Sequence, residues 1–193
     1  RGSQAVAVEI APVRTATVRE RATFTGSLIP GTYFVVAPKV AGKLERLNVN
    51  IGSEVRNGDL IAEIDGAEFI RQMEQARAEL AVSRANVEQA RSALDVVRRE
   101  YARYRGLREK DIVAEAELDA ALSRLEAAEA GFKVAEAQVL QRDAALKAAE
   151  VRLSYTKIHA QWRDGEDGRE KVRYVGERFV DEGAMLAANT PIV

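Results

Sequence analysis

Between Gly66 and Ser154 the chain contains no proline and holds two long runs in which core-type residues recur every seven positions. In the first run Met73, Leu80, Val87, Leu94 and Tyr101 fill one heptad position, and Ala76, Ser83, Ala90, Val97 and Tyr104 fill the other. In the second, Leu118, Leu125, Phe132, Val139, Leu146 and Leu153 are paired with Ala121, Ala128, Ala135, Arg142 and Ala149. A repeat of this period lays an apolar seam along one side of a helix, and the seam needs a second helix to cover it. Two helices of about 40 residues are predicted, each roughly 60 Å long at a rise of 1.5 Å per residue.

The charges select the partner. Just after the second core position the first run carries Arg77, Arg84, Arg91, Arg98 and Arg105, and the second carries Leu122, Glu129, Glu136, Asp143 and Glu150. In an antiparallel pair these two flanks face each other, so arginines meet carboxylates. In a parallel homodimer the arginines would meet Gln72, Glu79, Asn86, Ala93 and Glu100, a poorer match. Exposed pairs contribute only about a few tenths of a kcal/mol each, so the seam fixes register more than it supplies stability. Pairing Tyr101 with Ala121, Leu94 with Ala128 and Ala90 with Phe132 sets large against small and centres the turn near Asp111. The prediction is one intramolecular hairpin over 66–154 with its tip at about 106–114, its first helix capped by Asp65.

On either side the period changes to two. Val6, Val8 and Ile10 alternate, Pro12, Pro30 and Pro38 punctuate, and strands and turns are expected from residue 4 to 64. The segments flanking the hairpin also resemble each other. Setting Gly52 against Gly183 matches Leu44 to Val175, Val49 to Val180, Val55 to Leu186 and Ile61 to Ile192. Two half-motifs, 31–65 and 155–193, are expected to pack as one small sandwich with the hairpin grown from the joint. Arg1-Gly2-Ser3 reads as a tag remnant, and residues 4–30 as strands of another β region.

This ordered set resembles the split biotinyl/lipoyl fold of the membrane fusion proteins, the periplasmic adaptors of the HlyD/RND efflux type. The stretches that carry the resemblance are Ala37 to Gly42, Asn48 to Val55, Gly58 to Asp65, Leu153 to Ile158 and Val180 to Leu186. It implies an α+β fold: a long antiparallel coiled-coil hairpin between the halves of a lipoyl-like β-sandwich, plus an incomplete β-barrel strand region over 4–30. It also implies that family members continue past the position of Val193 into a β-barrel and a membrane-proximal domain. The implied role is an adaptor in the periplasm, attached to the inner membrane of a Gram-negative bacterium. Its implied partners are an RND-type inner-membrane transporter, a TolC-like outer-membrane channel and further copies of itself. Where the family has a short turn after the strand at Ile158, this chain has a longer polar loop, Gln161 to Lys171.

At the hairpin tip, family members that dock on such channels carry an Arg, a Leu four residues on and a Ser seven further. The corresponding positions are Arg103, Leu107 and Ala114. Arginine offers a fork of donors and leucine an apolar knob. Alanine in the third place cannot cap the second helix, which leaves Asp111 or a frayed start.

Other functions find little support. The net charge of −1 lacks the basic excess that nucleic acid requires. No cysteine is present, only Met73 and Met185 supply sulfur, and no cofactor or transition-metal cluster is expected. No apolar run approaches the ~20 residues of a membrane helix. His159, the one histidine, falls in a predicted strand, and no catalytic constellation is found, so the chain is not expected to be an enzyme. A lipoyl-type carrier would need a lysine at the joint, where Asp65-Gly66-Ala67-Glu68 stands instead, with no lysine between Lys43 and Lys110. The nearer alternative is the adaptor of a type I secretion or ABC export system.

Overall fold

The computed structural model describes residues 2–27, 29–162 and 172–193. Strands Gly42–Leu47 (β1), Glu54–Arg56 (β2) and Leu60–Ile64 (β3) precede helices Ala67–Arg108 (α1) and Glu115–Ser154 (α2). Lys157–His159 (β4), Val172–Tyr174 (β5) and Met185–Leu186 (β6) follow. One antiparallel sheet has the order β4-β3-β1-β6, and β2 pairs with β5 in a second. Alternate residues of both sheets turn inward, so Leu44, Val55, Ile61, Ile64, Ile158, Val175, Leu186 and Ile192 form one buried core.

The internal repeat is reproduced bond by bond. Leu44 N donates to Ala184 O and Gly183 N to Leu44 O, both at 2.8 Å; Val175 N donates to Ser53 O at 3.0 Å and Gly52 N to Val175 O at 2.8 Å. The Gly42–Leu186 pair in one sheet corresponds to the Val55–Arg173 pair in the other. Likewise Asn48 N donates to Ile61 O and Phe179 N to Ile192 O. The halves therefore interlock about a pseudo-twofold axis, each closing the other's turn. Gly52 and Gly183 sit at φ +86° and +87°, a conformation in which a Cβ crowds the backbone. Asn189, which the same alignment sets against Gly58, also takes a left-handed φ of 64°.

The hairpin leaves this domain from two neighbouring strands. β3 and β4 are paired, Ile64 N donates to Thr156 O at 2.8 Å, and Asp65 Oδ1 accepts from Ala67 N at 2.9 Å as α1 begins. The two helices thus start side by side. Every predicted core position of both helices is buried or half-buried except Arg142, with Leu80, Leu94 and Ala121 the most enclosed. The charged seam closes at its two ends: Arg98 lies 3.2 Å from Glu129, and Arg77 lies 3.9 Å from Glu150. In between, Asp143 turns to Lys147 at 2.7 Å. That hydrogen bond holds the Asp143 carboxyl below the ordinary carboxylate value, with Arg84 adding the smallest of the contributions. A second seam runs along the other flank, where Arg142 leaves the core to meet Glu79 at 2.6 Å and Arg124 meets Glu100 at 2.9 Å.

Two expected stretches lie outside these elements. The alternation over residues 4–30 produces no strand among the described residues, and Val6, Val8, Ile10, Val13, Val18, Phe24 and Ile29 are exposed. A strand needs a second strand to take up its N–H and C=O groups. The polar loop expected from Gln161 to Lys171 lies, from residue 163 onward, outside the described residues. At its near end Asn57 brackets Trp162, its Nδ2 donating to Trp162 O at 3.0 Å and its Oδ1 accepting from Trp162 N at 3.3 Å.

The shared left-handed turns give a paired prediction. Gly52→Ala and Gly183→Ala should each lower stability by about 1–2 kcal/mol, whereas Asn189→Gly should leave it nearly unchanged. Urea denaturation followed by circular dichroism measures all three. Alanine variants as stable as the parent would contradict the turn assignment.

Candidate docking site at the hairpin tip

α1 ends at Arg108 and α2 begins at Glu115, so six residues, 109–114, make the turn. The centre expected near Asp111 is where the chain reverses: Asp111 takes a left-handed φ of 54°. The last helical carbonyls are used inside the turn. Glu109 N donates to Arg105 O at 3.0 Å, and Leu107 O accepts from both Lys110 N at 3.1 Å and Ile112 N at 3.0 Å. Arg105 and Arg108 in the last turn of α1, and Glu115 and Glu117 in the first turn of α2, each complement the helix dipole they face.

The three sequence-predicted residues all come to this end of the hairpin. Arg103 is exposed, one helical turn before Leu107, with its guanidinium 5.9 Å from the Tyr104 ring centre. Leu107 is half-buried. Ala114 is the N-cap of α2, with φ −70° and ψ 150°, and makes no side-chain cap bond. Asp111 does not take over that role: its carboxylate lies 3.8 Å from Arg108. The helix nonetheless begins at Glu115, one residue past Ala114.

Arg108 is the residue that sequence reasoning missed. Its Nη1 donates to Val113 O at 3.2 Å and lies 3.8 Å from Asp111, while its Nη2 lies 3.9 Å from Glu115. One side chain thereby ties the end of α1 to the turn and to the start of α2. A signal was present: an arginine closing a helix with carboxylates three and seven residues on. Among so many helical arginines that spacing did not stand out.

Elsewhere the chemistry is sparse. His159 is exposed on β4, and its Nδ1 lies 2.9 Å from Gly58 O, which requires an Nδ1–H donor. At the joint between the half-motifs β3 runs into α1 within three residues. No group of three or more His, Cys, Asp or Glu side chains suited to a metal ion occurs among the described residues.

Comparison with known proteins agrees with this architecture. Residues 72–156 match the family described as RND MFP, alpha-helical hairpin domain. The multidrug resistance protein MdtA of Escherichia fergusonii is 32% identical over 184 residues, covering 93% of this chain and 39% of that protein. The protein of the same name from Yersinia pestis is 31% identical over 191 residues, covering 95% of this chain and 38% of that one. The crystal structure of MacA from Actinobacillus actinomycetemcomitans superposes with a TM-score of 0.74 at 27% identity, covering 84% of this chain and 49% of that one. Residues 72–156 thus match the hairpin domain of the RND membrane fusion proteins, and the similarity to MdtA and MacA extends from it across the flanking β segments. It spans about two fifths of the length of the curated relatives it matches.

The uncapped start of α2 yields a prediction. The Ala114 backbone already has the extended N-cap conformation, so Ala114→Ser supplies the missing acceptor for an early helical N–H. It should stabilise the start of α2 by about 1 kcal/mol. Slower amide hydrogen exchange at residues 115–118 is the expected result, and unchanged exchange would contradict it.

Proposed function

We propose that the protein is the periplasmic adaptor subunit of a tripartite efflux pump, joining an inner-membrane transporter to an outer-membrane channel. The observation that carries this reading is a long antiparallel hairpin, rooted on paired strands of a small β domain and closed by a braced turn. Such an element has reach and a defined end but no chemistry of its own. Its work is to hold two larger bodies at a fixed separation. We assign it no catalysis and no cofactor.

The finer assignments follow from the family. The transporter is of the RND type, as the matched hairpin family's description suggests, and the exported compounds are drugs, as the names of the MdtA relatives suggest. The channel is TolC-like and meets the tip at Arg103, Leu107 and Ala114. Further copies of the adaptor stand beside the first. In the whole protein, residues 4–30 contribute strands to a β-barrel or membrane-proximal region, where partners cover the apolar side chains exposed here. Residues 31–65 and 155–193 form the lipoyl-like domain and 66–154 the hairpin, in the periplasm of a Gram-negative cell with the full-length protein attached to the inner membrane.

Site-directed cross-linking in cells tests the docking end. Leu107→Cys in the full-length protein should form a specific adduct with the outer-membrane channel, and Ala85→Cys at mid-hairpin should not. Absence of the Leu107 adduct, with channel present and adaptor folded, would remove the docking assignment. Equal adducts at both positions would make the contact lateral rather than terminal.

A further inference from the structure

We infer that Ile112 is an apolar anchor of the tip and that Arg108 is the positioning residue that presents it, an inference that rests on the docking reading above. Of the larger apolar side chains near the turn, Leu107 and Val113 are half-buried, whereas Ile112 is 63% exposed. It stands among charged neighbours, Glu109, Lys110 and Asp111, in a turn whose polar composition would suffice for solubility without it. A large apolar side chain displayed at the end of a strut is a knob for a concave partner.

The knob is held from both sides. Arg108 donates to Val113 O, immediately after Ile112, and lies against the Asp111 carboxylate immediately before it. Ile112 N is itself fixed to Leu107 O at 3.0 Å. Asp111 is kept in a left-handed conformation that few non-glycine residues adopt, and Arg108 reaches on to Glu115 at the start of α2. The Arg108 side chain is also less exposed than that of Arg105, at 39% against 67%. Its donors are turned toward its own turn, so it shapes the tip rather than contacting the partner. The occupant that fits is the outer-membrane channel of the docking reading, at an apolar recess rimmed by polar groups that accept the charged residues around Ile112. A knob held rigid before contact loses little freedom on binding.

The test uses the full-length adaptor and the channel that cross-links to Leu107→Cys, both purified in detergent, with affinity read by surface plasmon resonance. Ile112→Asp should weaken binding by roughly tenfold or more, while Ile112→Leu should stay within about threefold of the parent. Arg108→Gln should weaken binding when Ile112 is present and have little further effect in an Ile112→Ala background, because its action passes through that side chain. Arg108→Gln acting equally in both backgrounds would overturn the positioning role, and an Ile112→Asp variant that binds like the parent would overturn the anchor. In either case a surviving Leu107 adduct leaves the docking reading intact. Loss of that adduct removes both readings. Circular dichroism of each variant, expected to match the parent, separates these outcomes from unfolding.

Discussion

The burial of one heptad seam by another within the same chain is the constraint on which the structure depends. Neither helix has enough apolar surface to join a globular core, and each carries charge on both flanks of its seam. Exposed ion pairs are individually weak. Arrayed along two flanks, they favour one antiparallel register over its neighbours, while the apolar layers supply the stability. The six-residue turn sets the same register, so local and long-range preferences agree.

The β domain does for the base what the turn does for the tip. Because β3 and β4 are adjacent antiparallel strands, the chain leaves and returns at neighbouring points, and the sheet ladder continues into the coiled coil. The interlocked halves make that platform stiff for its size. Leu44 and Val175, equivalent in the repeat, are each bonded by the turn of the opposite half, so neither half can loosen without releasing the other. Around the start of β5 the guanidinium of Arg173 stacks 5.1 Å from the rings of both Phe34 and Trp162, binding three separate segments of the domain. Stiffness at the base and bracing at the tip are what a spacer requires to transmit position over its length.

Much of this was legible in the residues because it rests on periodicity. The seven-residue repeat marks the seam, and the arginine flank gives direction. The match of Gly52 to Gly183 identifies two turns that share a left-handed backbone. Arg142 shows where periodicity ceases to inform: it occupies a core position by count, yet its length lets the guanidinium swing out to Glu79. The second ionic seam draws on Glu79 and Glu100, which lie on the flank opposite the arginine row, so the charge pattern of that row did not point to it. Residues 4–30 carry a strand-like pattern without a strand among the described residues, because a period of two becomes a strand only where a second strand is present. At the tip, the motif spacing set Arg103, Leu107 and Ala114 around the turn, which is where the structure has them. The part played by Arg108 depends on how a turn folds back on one side chain, and no periodic signal encodes that.

The central claim is that the hairpin is a straight, single-register strut. Its most direct test is a pulsed electron paramagnetic resonance distance between spin labels at Glu68, near the base, and Lys110, at the tip. At 1.5 Å per residue the account predicts one narrow distribution near ~60 Å. A broad distribution, or one centred well below that length, would mean that the hairpin bends or frays and would contradict the strut.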